Sequence, residues 1–347
     1  MKIVIDSAVP FVRGVFEPYA TVVYKDAEAI CHEDLIDADA LITRSRTRCG
    51  AELLDGTSVK IIATATISVD HIDLNYCQKH GIYVQKAAGS NAGGVMNYVF
   101  SALYACASHK SLFISGATLG IIGAGNTGAR VARMGNYLGF RVLRCDPVRA
   151  EAEGQDLFVP MDRVLQEADI ITMHVPLTSA TRWMADSHFF ARMKPGAIFI
   201  NTANGDVVDE RALKAYIPKL GAVILDTWSG EPNVDRELVD LADIATPHIA
   251  GYSYQGKQNA TMAVVRAVAR FLSLEKLYDF FPDAEVAELE SIKLDLRDKS
   301  QGEVAAVLQY NYPIYTDDFM FRIAPWDFER LRQQYRYRRE FYVDYNI

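Results

Sequence analysis

The chain has 347 residues, half of them hydrophobic, with a formal net charge of −8 and a pI near 5.4. That length suits two or three domains with sizeable cores, and the acidic balance speaks against a nucleic-acid partner. Five scattered cysteines (Cys31, Cys49, Cys77, Cys106, Cys145) form no CxxC pair, so no metal site is expected, and no apolar run approaches a membrane span.

Met1-Lys-Ile-Val-Ile-Asp6 opens as a strand without a cleavage pattern, so a signal peptide is not expected. Free thiols suit a reducing compartment, which predicts a cytoplasmic protein. Short apolar runs at Ile3–Ile5, Thr21–Tyr24, Ala40–Ile42 and Ile61–Ala63 alternate with helical patterns. They predict a small parallel α/β domain over 1–91. Gly93–Ser108 reads as a long apolar helix packed between domains. From Thr118 the rhythm restarts, with strands expected at Leu119–Ile122, Arg141–Cys145, Ile170–His174, Ala197–Asn201 and Val223–Asp226. Met161–Glu167 and Asp209–Tyr216 read as helices between them. This second α/β domain is expected over 92–253. An amphipathic helix at Asn259–Leu274 returns to the first domain, which is therefore completed by 254–282. Residues 283–347 change character, with many Tyr, Arg and Asp. They predict a small α+β domain containing a helix at Trp326–Arg339 that carries five arginines.

The strongest motif is Thr118-Leu-Gly-Ile-Ile-Gly-Ala-Gly-Asn-Thr-Gly128. Its G-x-G-x-x-G spacing falls between a strand and a helix, the context a dinucleotide requires. Gly123 permits a tight turn, Gly125 lets backbone approach a pyrophosphate, and Gly128 lets helix pack on strand. Asn126 and Thr127 open the helix whose positive end would hold the anion. Asp146 closes the next strand, where a carboxylate takes ribose hydroxyls and favours NAD over NADP. In open parallel sheets ligands sit beyond the carboxyl ends of strands, so the segments there hold the candidate chemistry. They are His174-Val-Pro-Leu177, Asn201-Thr-Ala-Asn-Gly205, Asp226-Thr-Trp-Ser-Gly-Glu-Pro232 and Thr246-Pro-His-Ile-Ala-Gly-Tyr252. His248 is the acid/base candidate, because imidazole exchanges protons near neutral pH, and Glu231 is the candidate carboxylate that orients it.

The order of these motifs, with Met193-Lys-Pro-Gly196 leading into Ile200-Asn-Thr-Ala-Asn204, resembles the D-2-hydroxyacid dehydrogenase family. Thr43-Arg-Ser-Arg46, Ala63-Thr-Ala-Thr66, Ala88-Gly-Ser-Asn91, Cys145-Asp-Pro147 with Arg149, and His248-Ile-Ala-Gly-Tyr252 are similar to one branch of it. Members of that branch oxidise 4-phosphoerythronate in pyridoxal phosphate biosynthesis. The resemblance implies two doubly wound domains, Rossmann-like and flavodoxin-like. Domain 92–253 would bind NAD, 1–91 with 254–282 would bind substrate in a cleft that closes over it, and 283–347 would form a homodimer. It implies His248 as acid/base with Glu231 polarising it, and NAD contacts from Gly123, Gly125, Asn126, Thr127, Gly128, Asp146, Val175, Asp226 and Gly251. It further implies substrate contacts from Ser45, Thr66 and Tyr252. Arg44 and Arg46 offer planar donor pairs suited to a phosphate.

One departure bears on activity. The family carries an arginine before the glycine of N-x-x-R-G, where it holds the substrate carboxylate, and here that catalytic position is Asn204. Asparagine cannot supply a bidentate charged clamp. Ile67 and Ser68 stand where small residues are usual, and Val175 replaces a threonine. Two readings therefore stand: an active dehydrogenase for a phosphorylated 2-hydroxy acid, or a diverged NAD(H)-binding relative with little turnover. A nucleic-acid reading would rest on the five C-terminal arginines alone, and a solvated or dimer-facing helix explains them more simply.

Overall fold

A computed structural model describes residues 1–282 and 291–345. The expected domain boundary at 283 falls outside these residues. The chain forms two compact units: Met1–Asn91 with the stretch beginning at Tyr254, and Ala92–Ser253 with the residues from Ser291 on.

The first unit holds five strands: β1 (Lys2–Asp6), β2 (Thr21–Lys25), β3 (Ala40–Thr43), β4 (Ile61–Thr64) and β5 (Tyr83–Lys86). They pair in parallel in the order β2-β1-β3-β4-β5, the flavodoxin-like arrangement. One face of the sheet is covered by the helix Tyr254–Phe271 through Val264, Val265, Val268 and Ala269. The other packs Val4, Leu41 and Ile62 on short helices carrying Leu35, Leu53 and Cys77. Apolar burial on both faces is why the central strands read as unbroken apolar runs. β5 lies at the sheet edge and ends in Gln85 and Lys86, so its tetrapeptide gives no strong strand signal.

The second unit holds β6 (Thr118–Ile122), β7 (Arg141–Cys145), β8 (Ile170–Met173), β9 (Ile198–Asn201), β10 (Ala222–Leu225) and β11 (Ile244–Ala245). All are parallel, in the order β11-β10-β9-β8-β6-β7. The order reverses at β6, and at such switch points the crevice beyond the strand ends takes ligands. The helix Ala92–His109 is buried from Ala92 to Ala107. It is covered on all sides, packing on the helices Asn126–Tyr137 and Gln301–Asn311 within this unit.

The C-terminal residues do not form a compact unit of their own but pack into the second one. A two-stranded parallel sheet, β12 (Ile292–Leu294) with β13 (Phe341–Val343), is held by Asn97. The Asn97 amide donates to the Phe341 carbonyl at 2.8 Å and accepts from its N–H at 2.9 Å. The expected helix over Trp326–Arg339 is shorter, Phe328–Gln333 after a 3₁₀ turn. Arg338 leaves the helix because its guanidinium reaches both carboxylate oxygens of Asp317 at 2.8 Å and the Tyr335 hydroxyl at 2.8 Å. A half-buried, multiply bonded arginine outweighs local helix propensity. Among the described residues no helix is long and apolar enough to cross a membrane, and no His/Cys/Asp/Glu group is placed to hold a metal ion.

Candidate active site

In the second unit every candidate residue sits at the carboxyl end of a strand. β6 is followed by Gly123, whose φ of +86° is the left-handed conformation that favours glycine. A Cβ there would lie 2.7 Å from Val175 N, which seats Val175 against the glycine loop. A Cβ at Gly128 would lie 2.0 Å from the Gly123 carbonyl, so Gly128 lets helix Asn126–Tyr137 start hard against the strand. Around Gly125 nothing lies within 4 Å of a Cβ. The first helical amides, Asn126, Thr127 and Gly128, begin directly beyond that open space, and a helix start lacks intrahelical acceptors for such N–H groups. Asp146 braces this loop. Its Oδ2 accepts from the Ala124 N–H at 2.9 Å and its Oδ1 caps the next helix through Arg149 N–H at 3.1 Å. Arg149 donates to the Ala124 carbonyl and pairs with Glu153. An open cradle, helix amides and an adjacent carboxylate fit NAD.

β10 leads to Asp226 and Glu231, and β11 to His248. His248 Nδ1 meets Glu231 Oε2 at 2.7 Å, and the other oxygen, Oε1, accepts the Trp228 N–H at 2.9 Å. With Glu231 ionised the shared proton sits on Nδ1, so Nε2 is left to accept a proton. The His248 backbone has φ 56°, a conformation costing a non-glycine residue about 1–3 kcal/mol unless its surroundings enforce it. Asp226 does so. Its carboxylate accepts from Ile249 N–H at 2.8 Å, Ala250 N–H at 2.9 Å and the Thr246 hydroxyl at 2.7 Å. Its carbonyl accepts the His248 N–H at 2.7 Å. Burial pushes the Asp226 carboxyl upward, while His248 and these donors draw it back. Asp226 is 1% exposed and lies under the histidine loop. Gly251 and Tyr252 follow the histidine loop, with Tyr252 N–H donating to the Ile249 carbonyl at 2.7 Å and its ring against Tyr335 and Tyr337.

Asn204, beyond β9, turns inward to its own loop. Its Oδ1 accepts Asp206 N–H at 3.0 Å, capping a 3₁₀ turn, and its carbonyl accepts from the Asn201 amide at 3.2 Å. An asparagine ahead of Gly-Asp-Val is itself an N-cap signal. Gly205 brings the loop onto the 226–231 segment, since a Cβ there would lie 1.9 Å from the Trp228 backbone. Arg211 is exposed on the helix Glu210–Tyr216. Glu210 accepts Ser229 N–H at 2.7 Å, and burial raises its carboxyl to about 7.

In the first unit the candidates cluster beyond two adjacent strands, paired at Thr43 and Thr64. Arg44, Ser45 and Arg46 follow β3. Arg44 donates to the Ala8 carbonyl at 3.3 Å, while Ser45 and Arg46 are exposed. Thr66 follows β4, with its hydroxyl 2.7 Å from that of Thr64 and donating to the Ser68 carbonyl at 2.8 Å. Thr246, Tyr98 and Trp228 escape sequence reasoning as site residues. Thr246 and Trp228 lie within the quoted motifs, but Tyr98 sits 148 residues from its hydroxyl partner.

A doubly wound sheet with a dinucleotide cradle, and a histidine–carboxylate pair at neighbouring strand ends, defines an NAD-dependent dehydrogenase. The NAD-binding domain of D-isomer specific 2-hydroxyacid dehydrogenases matches residues 104–250. Erythronate-4-phosphate dehydrogenase of Bacteroides fragilis is 38% identical over 98% of this chain and 97% of its own length. The enzyme of that name from Porphyromonas gingivalis is 36% identical over 98% and 94%. The crystal structure of D-lactate dehydrogenase from Aquifex aeolicus, complexed with NAD and lactic acid, superposes with a TM-score of 0.66 at 28% identity, covering 82% of this chain and all of that one. The chain belongs to the D-isomer specific 2-hydroxyacid dehydrogenase family and is an NAD-dependent enzyme of it.

Proposed function

We propose that this dehydrogenase oxidises 4-phosphoerythronate to its 2-oxo acid. The observation that carries the reading is the His248–Glu231 pair at 2.7 Å, in a chain similar over nearly its whole length to erythronate-4-phosphate dehydrogenases. Bound NAD supplies the acceptor for the hydride on the hydroxyl-bearing carbon. His248 Nε2 takes the hydroxyl proton, the C–O bond gains its second bond, and Glu231 stabilises the imidazolium so formed. Glycines 123, 125 and 128, with Asn126 and Thr127, cradle the pyrophosphate, and Asp146 takes the ribose hydroxyls. Val175, Gly251 and Asp226 border the cofactor, and Asp226 also fixes the histidine loop. Ser45, Thr66 and Tyr252 contact substrate, and Arg44 and Arg46 grip its phosphate.

The inward-turned Asn204 favours a second reading, an NAD(H)-binding relative with little turnover. NADH formation from 4-phosphoerythronate by wild type and Asn204→Arg, measured side by side, separates the two. The variant loses a cap worth about 1 kcal/mol and gains a charged clamp. Wild-type turnover is expected, with kcat/KM rising about tenfold or more in the variant, within the range of single-donor electrostatic effects. A silent wild type beside an active variant supports the second reading, and an unchanged or lower rate in the variant contradicts the argument from the lost arginine.

A homodimer completes the proposal. Tyr310, Phe319 and Trp326 are 89%, 61% and 65% exposed on the C-terminal helices and are the side chains that a partner copy would cover. Light scattering over a concentration series is expected to give twice the chain mass; a monomer throughout contradicts it.

A further inference from the structure

We infer that Tyr98 is a positioning residue for His248, acting through a buried relay of hydroxyls from the helix Ala92–His109. The inference rests on the proposed role of His248.

With Asp226 ionised the relay runs in one direction. Thr246 Oγ1 lies 2.7 Å from Asp226 Oδ1, an acceptor when ionised, so the one Thr246 hydroxyl proton points there. The Tyr98 hydroxyl lies 2.7 Å from the same Thr246 oxygen and therefore donates to it. Tyr98 is fully buried, and burial beside Asp226 holds its hydroxyl well above the ordinary phenol range, so it remains a donor at any working pH. The sequence of donors ends on the carboxylate that gathers the Ile249 and Ala250 amides around the left-handed His248. Each donor polarises the next, which strengthens the bonds in a low-dielectric interior.

The helix itself is a firm support. The Tyr98 ring packs edge-on against Tyr312 at 6.1 Å, and Asn97 beside it holds β13. From the same C-terminal segment Asp318 accepts the Ala245 N–H at 2.7 Å, one residue before Thr246. Arg322 fixes Asp318 through both carboxylate oxygens and reaches the Ala242 carbonyl at 2.7 Å. The histidine loop is thus anchored on one side by Tyr98 and at its root by Asp318. A relay of this kind sets where Nε2 sits without touching substrate or cofactor, so its loss should appear in kcat and not in binding.

Tyr98→Phe removes one hydroxyl and preserves the ring. It is expected to lower kcat about tenfold while leaving KM and NADH affinity within about twofold. Thr246→Val cuts the relay entirely and is expected to cost at least as much. The double variant should then be no slower than Thr246→Val alone, since residues in one hydrogen-bond network couple. Tyr104→Phe, on the same helix, is the control and should retain wild-type kcat. Amide hydrogen exchange gives an independent readout. Ile249 and Ala250 should exchange about tenfold faster in Tyr98→Phe, with the amides of β6 unchanged. Unchanged kcat and unchanged exchange at Ile249 and Ala250 overturn the inference, as do additive losses in the double variant or faster exchange throughout the unit. If His248→Gln retains activity, the proposed function fails instead. If wild type leaves 4-phosphoerythronate untouched, exchange still decides the role of Tyr98.

Discussion

His248→Gln is expected to lower kcat for NADH formation about a thousandfold, with NADH affinity unchanged. A positioned general base contributes about 10²–10⁴ in rate, and glutamine offers neither a proton acceptor of comparable basicity nor the imidazole's reach. The cradle of Gly123, Gly125 and Gly128 lies at the end of β6, a strand separated from β11 by β8, β9 and β10, so cofactor binding has no direct dependence on the histidine side chain. Glu231→Gln should approach the same loss by a different route. Its amide carbonyl can still accept the Trp228 N–H, which leaves the amide NH₂ facing His248 Nδ1. A donor at that place moves the ring proton to Nε2 and removes the basic nitrogen from the reacting side. Stopped-flow measurement of NADH formation, with NADH titrated by fluorescence, checks both variants. Weak NADH binding in either would mean that the histidine loop shapes the cofactor cradle.

Gly125→Val is expected to weaken NAD(H) binding at least about a hundredfold while leaving the melting temperature within a few degrees. The separation follows from geometry. At Gly125 a Cβ meets nothing within 4 Å and φ is −64°, so the protein itself accommodates a side chain. That same open space is where backbone must approach a pyrophosphate, and branched methyl groups there would occupy it. Gly128 is the contrasting position, because a Cβ 2.0 Å from the Gly123 carbonyl forces backbone to move. Gly128→Ala should therefore lose stability as well as binding. Calorimetric titration with NADH and thermal unfolding of both variants test the distinction. Equal stability losses in the two would show that Gly125 is structural.

The parallel sheets were readable because buried strands appear as short apolar runs bounded by turns, as with Ile61–Ala63 and Leu119–Ile122. β5 and β11 were not. β5 is a tetrapeptide that ends in two polar residues and β11 has only two residues, so tertiary pairing alone defines them. Trp326–Arg339 has helical composition, yet Arg338 gains more from Asp317 and Tyr335 than from another helical turn. At the site, motif spacing led to the glycine cradle because local backbone geometry demands glycine there, and acid/base chemistry at the strand ends led to His248 and Glu231. The orientation of Asn204 depends on its own Oδ1 finding Asp206 N–H, which a capping reading would have anticipated. The bonds of Asp226 to the Ile249 and Ala250 amides follow from the turn of the histidine loop, which spacing does not reveal. Tyr98 was beyond reach, because nothing local in a buried apolar helix marks one tyrosine as the partner of a threonine 148 residues away.

The most direct test of the account is the ratio of wild-type kcat/KM for 4-phosphoerythronate to that for unphosphorylated erythronate, followed by NADH formation at one salt concentration. Phosphate binding by two arginines predicts a preference of at least about a hundredfold, since charge-assisted bonds contribute roughly 1.5–3 kcal/mol each. Comparable values for the two substrates would contradict the assignment of Arg44 and Arg46 and, with it, the choice of substrate.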